Sequence, residues 1–250
     1  MKTKELKEFL DEVLRIGEVE DLSLNGLQVE NSGEVKRVGL SVDASLKAFK
    51  EARKRNMDMV LVHHGLFWGK PEPIRGSLYE RLRELILGNI ALYAAHLPLD
   101  MHPEYGNNAQ AMKLLGIHET GDFGNYHGTV IGKDGLLDEP MNREGFTKLL
   151  EEKLGGKVFV WPFGKEEIRR IAYVSGDALS LLPEAVEKGY DAYVTGEPRH
   201  SYYWYAYESG INVFFAGHYV TERLGVLAVG ELLREKFGLE VEFLELPTGH

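Results

Sequence analysis

Ile211-Asn-Val-Phe-Phe-Ala-Gly-His-Tyr-Val-Thr-Glu-Arg-Leu224 is the stretch on which the reading of the chain turns. Asn212 to Phe215 is an apolar, β-branched and aromatic run of strand length. Gly217 interrupts it. From Tyr219 the apolar residues Val220, Leu224, Leu227 and Ala228 recur at steps of three and four, the period of a helix. A strand that passes directly into a helix is one βα unit. His218 and Glu222 stand four apart on one helical face, so an imidazole nitrogen and a carboxylate point at one spot beside the strand end. That pairing suits a divalent metal. An ordinary i,i+4 surface pair has the same spacing.

The pattern occurs twice. Asn89-Ile-Ala-Leu-Tyr-Ala-Ala-His-Leu-Pro-Leu-Asp100 again runs apolar, passes two small residues and sets a His and a carboxylate four apart. Pro98 argues against a regular helix, so a loop is expected to carry His96 and Asp100. Outward from these stretches, strand patterns at Arg37–Val42, Met57–Val62, Ile171–Ser175, Asp191–Thr195 and Glu240–Leu246 alternate with helical ones at Leu46–Arg55, Leu78–Leu87, Leu179–Lys188 and Ser201–Glu208. Such alternation predicts an α/β fold of mostly parallel sheets covered by helices. Lys133-Asp134-Gly135 reads as a turn. The polar, glycine-containing connection Gly121–Gly124 marks the expected boundary, with one α/β half over residues 1–122 and another over 123–250.

The two halves look related. Ser41-Val-Asp-Ala-Ser45 matches Ser175-Gly-Asp-Ala-Leu179, Asp58 and Asp191 each precede a strand, and His63-His64 fall opposite Gly196-Glu197. This is the signature of two β-α-β-α-β repeats. In parallel sheets, ligands collect at the carboxyl ends of strands. Those ends here carry His63, His64, His96, Asp100, Glu197, His200, His218 and Glu222. Two halves facing each other would gather them in one cleft, where a metal site is expected.

The 250 residues are 44% hydrophobic, enough for a sizeable core. With 39 acidic against 29 basic residues the net charge is −10, which disfavours general attraction to nucleic acid. There is no cysteine, so neither a disulfide framework nor a thiolate metal site can form. Any metal must be held by His, Asp, Glu and water. The first residues form a charged amphipathic helix rather than a signal peptide, and no run reaches the length of a membrane span. A cytoplasmic protein is the expectation. No Walker-type phosphate loop or dinucleotide glycine fingerprint is present.

Several segments together resemble the dinuclear-metal family named for NGG-interacting factor, many of whose members are labelled GTP cyclohydrolase 1 type 2 homologues. They are Asn25-Gly-Leu-Gln-Val29, Val42-Asp-Ala-Ser45, Val62-His-His-Gly-Leu-Phe67, His96-x3-Asp100, Gly106-Asn-Asn108, Thr195-Gly-Glu-Pro-Arg-His200 and Gly217-His-Tyr-Val-Thr-Glu222. The resemblance implies two α/β domains with a pair of divalent ions between them. It carries over His63, His64, Asp100, His218 and Glu222 as ligands of two ions per subunit, of Zn, Mn, Fe or Co, and it implies a homohexamer. Leu97 and Pro98 stand where many relatives have Thr and Asn before the Leu-Asp.

These ligands suffice for two ions if a carboxylate bridges, and paired ions activate water for hydrolysis. His96 is the candidate for orienting a ligand or moving a proton. Glu197 and His200 are candidates for substrate contact, although Glu197-Pro198 also fits a helix start. The aromatic run Tyr202, Tyr203, Trp204, Tyr205 and Tyr207 cannot all face one core, so part of it is expected to contact a base or a neighbouring subunit. The first functional reading is a metal-dependent hydrolase acting on a small nucleotide-like substrate, GTP being the named candidate. The alternative is a non-enzymatic metal-binding ring that binds nucleic acid or a regulatory protein.

Overall fold

The computed structural model describes residues 1–249. The chain forms two compact units, Met1–Leu99 with Gly225–Leu246, and Asp100–Leu224.

The first unit contains α1 (Thr3–Val13), β1 (Gly26–Val29), β2 (Arg37–Asp43), α2 (Leu46–Lys54), β3 (Met59–His64), α3 (Gly76–Gly88) and β4 (Ala91–Ala94). Strands β2, β3 and β4 run parallel, and β1 closes the β4 edge antiparallel. Strand β11 (Glu240–Phe243) adds parallel to β2, giving the order β1-β4-β3-β2-β11. Strands β3 and β4 are buried along almost their whole length, so Met59–Val62 and Ala91–Ala94 read as unbroken apolar runs and not as alternation. Phe49, Ala52, Val60, Leu85 and Leu92 pack together as its core. Ser45 caps α2 by accepting from the Ala48 amide at 3.1 Å.

The second unit opens in α4 (Leu97–Met101), whose Asp100 is its first residue. It continues through α5 (Asn107–Leu115), the hairpin β5 (His118–Tyr126) and β6 (Thr129–Asn142), α6 (Arg143–Leu154), β7 (Phe159–Pro162), β8 (Glu167–Tyr173), α7 (Leu182–Glu187), β9 (Ala192–Thr195), α8 (Tyr203–Ser209) and β10 (Asn212–Phe215). Helix α9 (His218–Phe237) follows, and the chain passes back to the first unit within it, at Gly225. The sheet order is β5-β6-β8-β9-β10-β7.

Three local expectations are corrected. The boundary placed at 122/123 falls inside β5, because β5 pairs with β6 and β6 with β8, which commits the whole of β5 to the second sheet. The hairpin turns at His127-Gly128, with φ of 51° and 93°, the two left-handed residues of a tight turn. Lys133–Gly135 lies within β6, and Gly135 is glycine because an added Cβ would stand 2.5 Å from the His118 carbonyl oxygen. His96-x3-Asp100 is not a loop: α4 includes Pro98 in its first turn, where the missing N–H has no helical partner to lose.

The expected repeat is present and larger than expected. Each unit carries the same four-strand order, β1-β4-β3-β2 and β7-β10-β9-β8, with an antiparallel edge strand beside three parallel ones. Asp58 accepts from the Lys36 and Arg37 amides at 2.8 and 2.9 Å, and Asp191 from the Arg169 and Arg170 amides at 3.0 and 2.8 Å. The ladder also refines the alignment. Ala95 and Ala216 donate to the equivalent carbonyls of Val62 and Thr195, so His96 stands opposite Gly217 and not His218. In the same way Asp43 stands opposite Gly176. The second unit has one extra residue at each of these strand ends, Gly176 at φ 65° and Gly217 at φ 95°.

Candidate metal centre

In the first unit, the ends of β3 and β4 bring three histidines together. Ring centroids of His63 and His64 are 4.7 Å apart, those of His63 and His96 5.1 Å, and those of His64 and His96 5.7 Å. One ligand atom from each lies within 4.8 Å of the others. All three are held in the same way. Nδ1 of His63 donates to the Ala95 carbonyl at 2.9 Å, Nδ1 of His64 to Asp43 Oδ1 at 2.9 Å, and Nδ1 of His96 to both oxygens of Asp21 at 3.0 Å. A carbonyl or carboxylate can only accept, so the lone pair of each neutral ring falls on Nε2. This is the bracing by which proteins orient metal-binding imidazoles.

Asp21 is the most elaborate of these supports. Its side chain is only 3% exposed. It accepts from the Ser23 and Leu97 amides and from Asn25 Nδ2, while Asn25 Oδ1 accepts from the His96 amide at 2.8 Å. Burial pushes the Asp21 carboxyl up, but the hydrogen bond and charge of His96, with the Asn25 and Ser23 donors, outweigh it and hold it at about 2.

In the second unit, Asp100 and Glu222 are buried carboxylates. Oδ1 of Asp100 accepts from Asn107 Nδ2 and Ser175 Oγ, each at 2.9 Å. Asn108 ties the same turn to β6 by donating to the Asp100 and Ile131 carbonyls. Gly106 must be glycine, because a Cβ there would lie 2.3 Å from the His102 carbonyl oxygen. Nε2 of His218 lies 2.9 Å from Glu222 Oε2, and its Nδ1 2.6 Å from Glu197 Oε1. Burial pushes the His218 imidazole down, but Glu222 and Glu197 together push it up to about 9. When protonated, the His218 ring sits between two carboxylates that balance its charge. Gly176 keeps this space open: its Cβ would fall 2.0 Å from Glu222 Oε1.

The donor sets fit a divalent metal: imidazoles with Nε2 turned inward in one unit, and a His–carboxylate pair with a second buried carboxylate in the other. Of the strand-end residues singled out in the sequence, His200 lies on an exposed turn, and Glu197 supports His218. Asp21, Asn25, Asn107 and Ser175 were not among them. Asp21 has no periodic or motif signal, and the others were marked only by the segments that contain them, Asn25–Val29, Gly106-Asn-Asn108 and the repeated Ser175–Leu179. Asp43, which the sequence places in the repeated Ser41–Ser45 segment, holds His64.

The family profile described as Duf34/NIF3 (NGG1p interacting factor 3) matches residues 1–249. The chain belongs to this family. A relative from Archaeoglobus fulgidus, named GTP cyclohydrolase 1 type 2 homolog, is 46% identical over 248 residues, covering 99% of each chain. One of the same name from Pyrococcus horikoshii is 45% identical over 250 residues, covering all of both chains. A solved structure from Thermus thermophilus is similar over 100% of both chains, with a TM-score of 0.93 and 40% identity. The mixed α/β fold, with a run of parallel strands in each of its two sheets, is therefore a family architecture. Among the described residues, no helix is long and apolar enough to cross a membrane.

Proposed function

We propose that this member of the Duf34/NIF3 family is a dinuclear metal-dependent hydrolase acting on a nucleotide-like substrate. His63, His64, Asp100, His218 and Glu222 are the proposed ligands of two divalent ions. The observation that carries the reading is the shared bracing of His63, His64 and His96, each with Nδ1 committed and ligand atoms within 4.8 Å of one another. Ions held there supply Lewis acidity towards water and the bond to be cleaved.

The protein's own groups divide the remaining work. Asp43 and the Ala95 carbonyl fix the tautomers of His64 and His63. Glu197 fixes the ring of His218. The Asp21–His96 dyad is assigned to proton transfer, because a buried, ionised carboxylate on Nδ1 leaves Nε2 to exchange a proton with substrate or water. The names of the relatives support GTP as the first substrate to test.

Elemental analysis of purified protein exposed to Mn, Zn, Fe or Co tests the ligand set. Two ions per subunit are expected in the wild type, clearly fewer in His64→Ala and Glu222→Ala, and two again in His96→Ala. Wild-type protein that takes up no stoichiometric metal would overturn the reading. Release of formate from GTP tests the substrate, and its absence with every metal would remove GTP while leaving the ligand set standing. We further propose that the chain assembles as a homohexamer, supported by exposed Trp204, Tyr207 and Phe159 beside the edge strand β7.

A further inference from the structure

We infer that Trp68 is the platform on which a planar heteroaromatic ring of the substrate, a nucleobase, stacks beside the histidine cluster. The inference rests on the nucleotide-like substrate proposed above and names the residue that recognises its base. Trp68 is 40% exposed. Its ring stands edge-on to His96, with centroids 4.9 Å apart at 73°, and lies 6.0 Å from the ring of His64. Its indole nitrogen is committed within its own loop, donating to the Gly65 carbonyl at 3.0 Å. With its donor committed, the indole offers apolar ring surface next to the imidazoles.

The ring is also held in place. Ser23 and Trp68 form an antiparallel bridge, the Leu24 amide donates to the Phe67 carbonyl at 2.9 Å, and the Gly69 amide to the Leu22 carbonyl at 2.7 Å. Gln28 joins the two segments, accepting from the Leu66 amide at 2.7 Å and donating to the Leu24 carbonyl at 2.6 Å. A Cβ on Gly65 would meet Gln28 Nε2 at 2.3 Å and Ala94 Cβ at 2.8 Å, so a larger residue there would displace the Gln28 side chain that joins the segments. The segment that carries Asp21 and Asn25, which fix His96, thus also fixes Trp68. One support sets the distance from the aromatic face to the imidazoles.

Leu22 and Leu24 on the same paired segments are 73% and 58% exposed. An apolar rim, a rigid indole face and polar imidazoles at its edge match the two-sided chemistry of a nucleobase, which has an apolar π-face and a polar edge. Stacking of a base on tryptophan is tolerant of base identity and strong enough to dominate binding of a small ligand. The arrangement offers no such match to a bare sugar phosphate.

The test compares GMP with ribose 5-phosphate by titration calorimetry on metal-loaded wild type, Trp68→Ala and Trp68→Phe, with metal content measured on the same samples. We expect Trp68→Ala to weaken GMP binding by about tenfold or more while ribose 5-phosphate binding is unchanged, and Trp68→Phe to retain most of the affinity. In a Trp161→Phe/Trp204→Phe background, which leaves Trp68 as the one tryptophan, GMP should quench the fluorescence and ribose 5-phosphate should not. Equal GMP affinity in wild type and Trp68→Ala, or equal losses for both ligands, would overturn the platform while leaving the hydrolase reading intact. A wild type that binds metal but no GMP would overturn the platform together with the nucleotide substrate.

Discussion

At the scale of single residues, the centre depends on groups that never need to touch a ligand. Asp21 satisfies two backbone amides, Asn25 and His96 at once. Asp21→Ala leaves these buried donors without an acceptor, so it should cost about 1–3 kcal/mol in denaturant unfolding and lower turnover further by releasing His96. Full stability in this variant would show that water replaces the carboxylate. Gly176 is the second such residue. Gly176→Ala places a methyl group against Glu222 and asks a non-glycine residue to hold φ 65°. A lower melting temperature is expected, with weaker metal uptake than the wild type. An alanine elsewhere on the surface would show neither.

At the scale of elements, Asp58 and Asp191 stitch the start of one parallel strand to the start of the next in each repeat. For Asp191, burial raises the carboxyl, but the Arg170 and Arg169 amides and Lys165, 2.6 Å away, lower it below its ordinary value of 3.8. A depressed folded value stabilises the protein above the ordinary value, and that stabilisation is lost as pH falls through the folded value. Asp191→Asn keeps an acceptor for the amides but cannot titrate. Its unfolding free energy should therefore fall less steeply than that of the wild type below about pH 4. Parallel acid limbs for the two proteins would show that Asp191 does not contribute to the pH dependence.

At the scale of the whole molecule, the proposed ligands come from three separate stretches of chain, at residues 63–64, 100 and 218–222, so metal binding should be tied to folding. Saturating metal should raise the melting temperature of the wild type and leave that of Glu222→Ala little changed. The exposed aromatic surface of α8 and β7 predicts self-association. Light scattering should give six times 28.2 kDa, and a monomer at micromolar concentration would refute the assembly.

The sequence by itself determined the α/β class, the strand ends at which histidines and carboxylates gather, and the family. Buried parallel strands need unbroken apolar runs, and βα units leave a period that changes from two to three and four, so both are written locally at Met59–Val62 and around His218. The repeat was also legible, through Asp58 and Asp191. Only the tertiary structure decided which residues share the work. A single glycine inserted after β8 and another after β10, Gly176 and Gly217, set the repeat out of step by one at those strand ends, and no local pattern reveals that without the ladder. The return of α9 and β11 to the first sheet is set by pairing with β2, more than two hundred residues earlier. The same holds for Asp21, Asn25 and Trp68. Their roles come from hydrogen bonds and ring contacts across long stretches of chain, and these exist only once strands β1, β3 and β4 lie side by side.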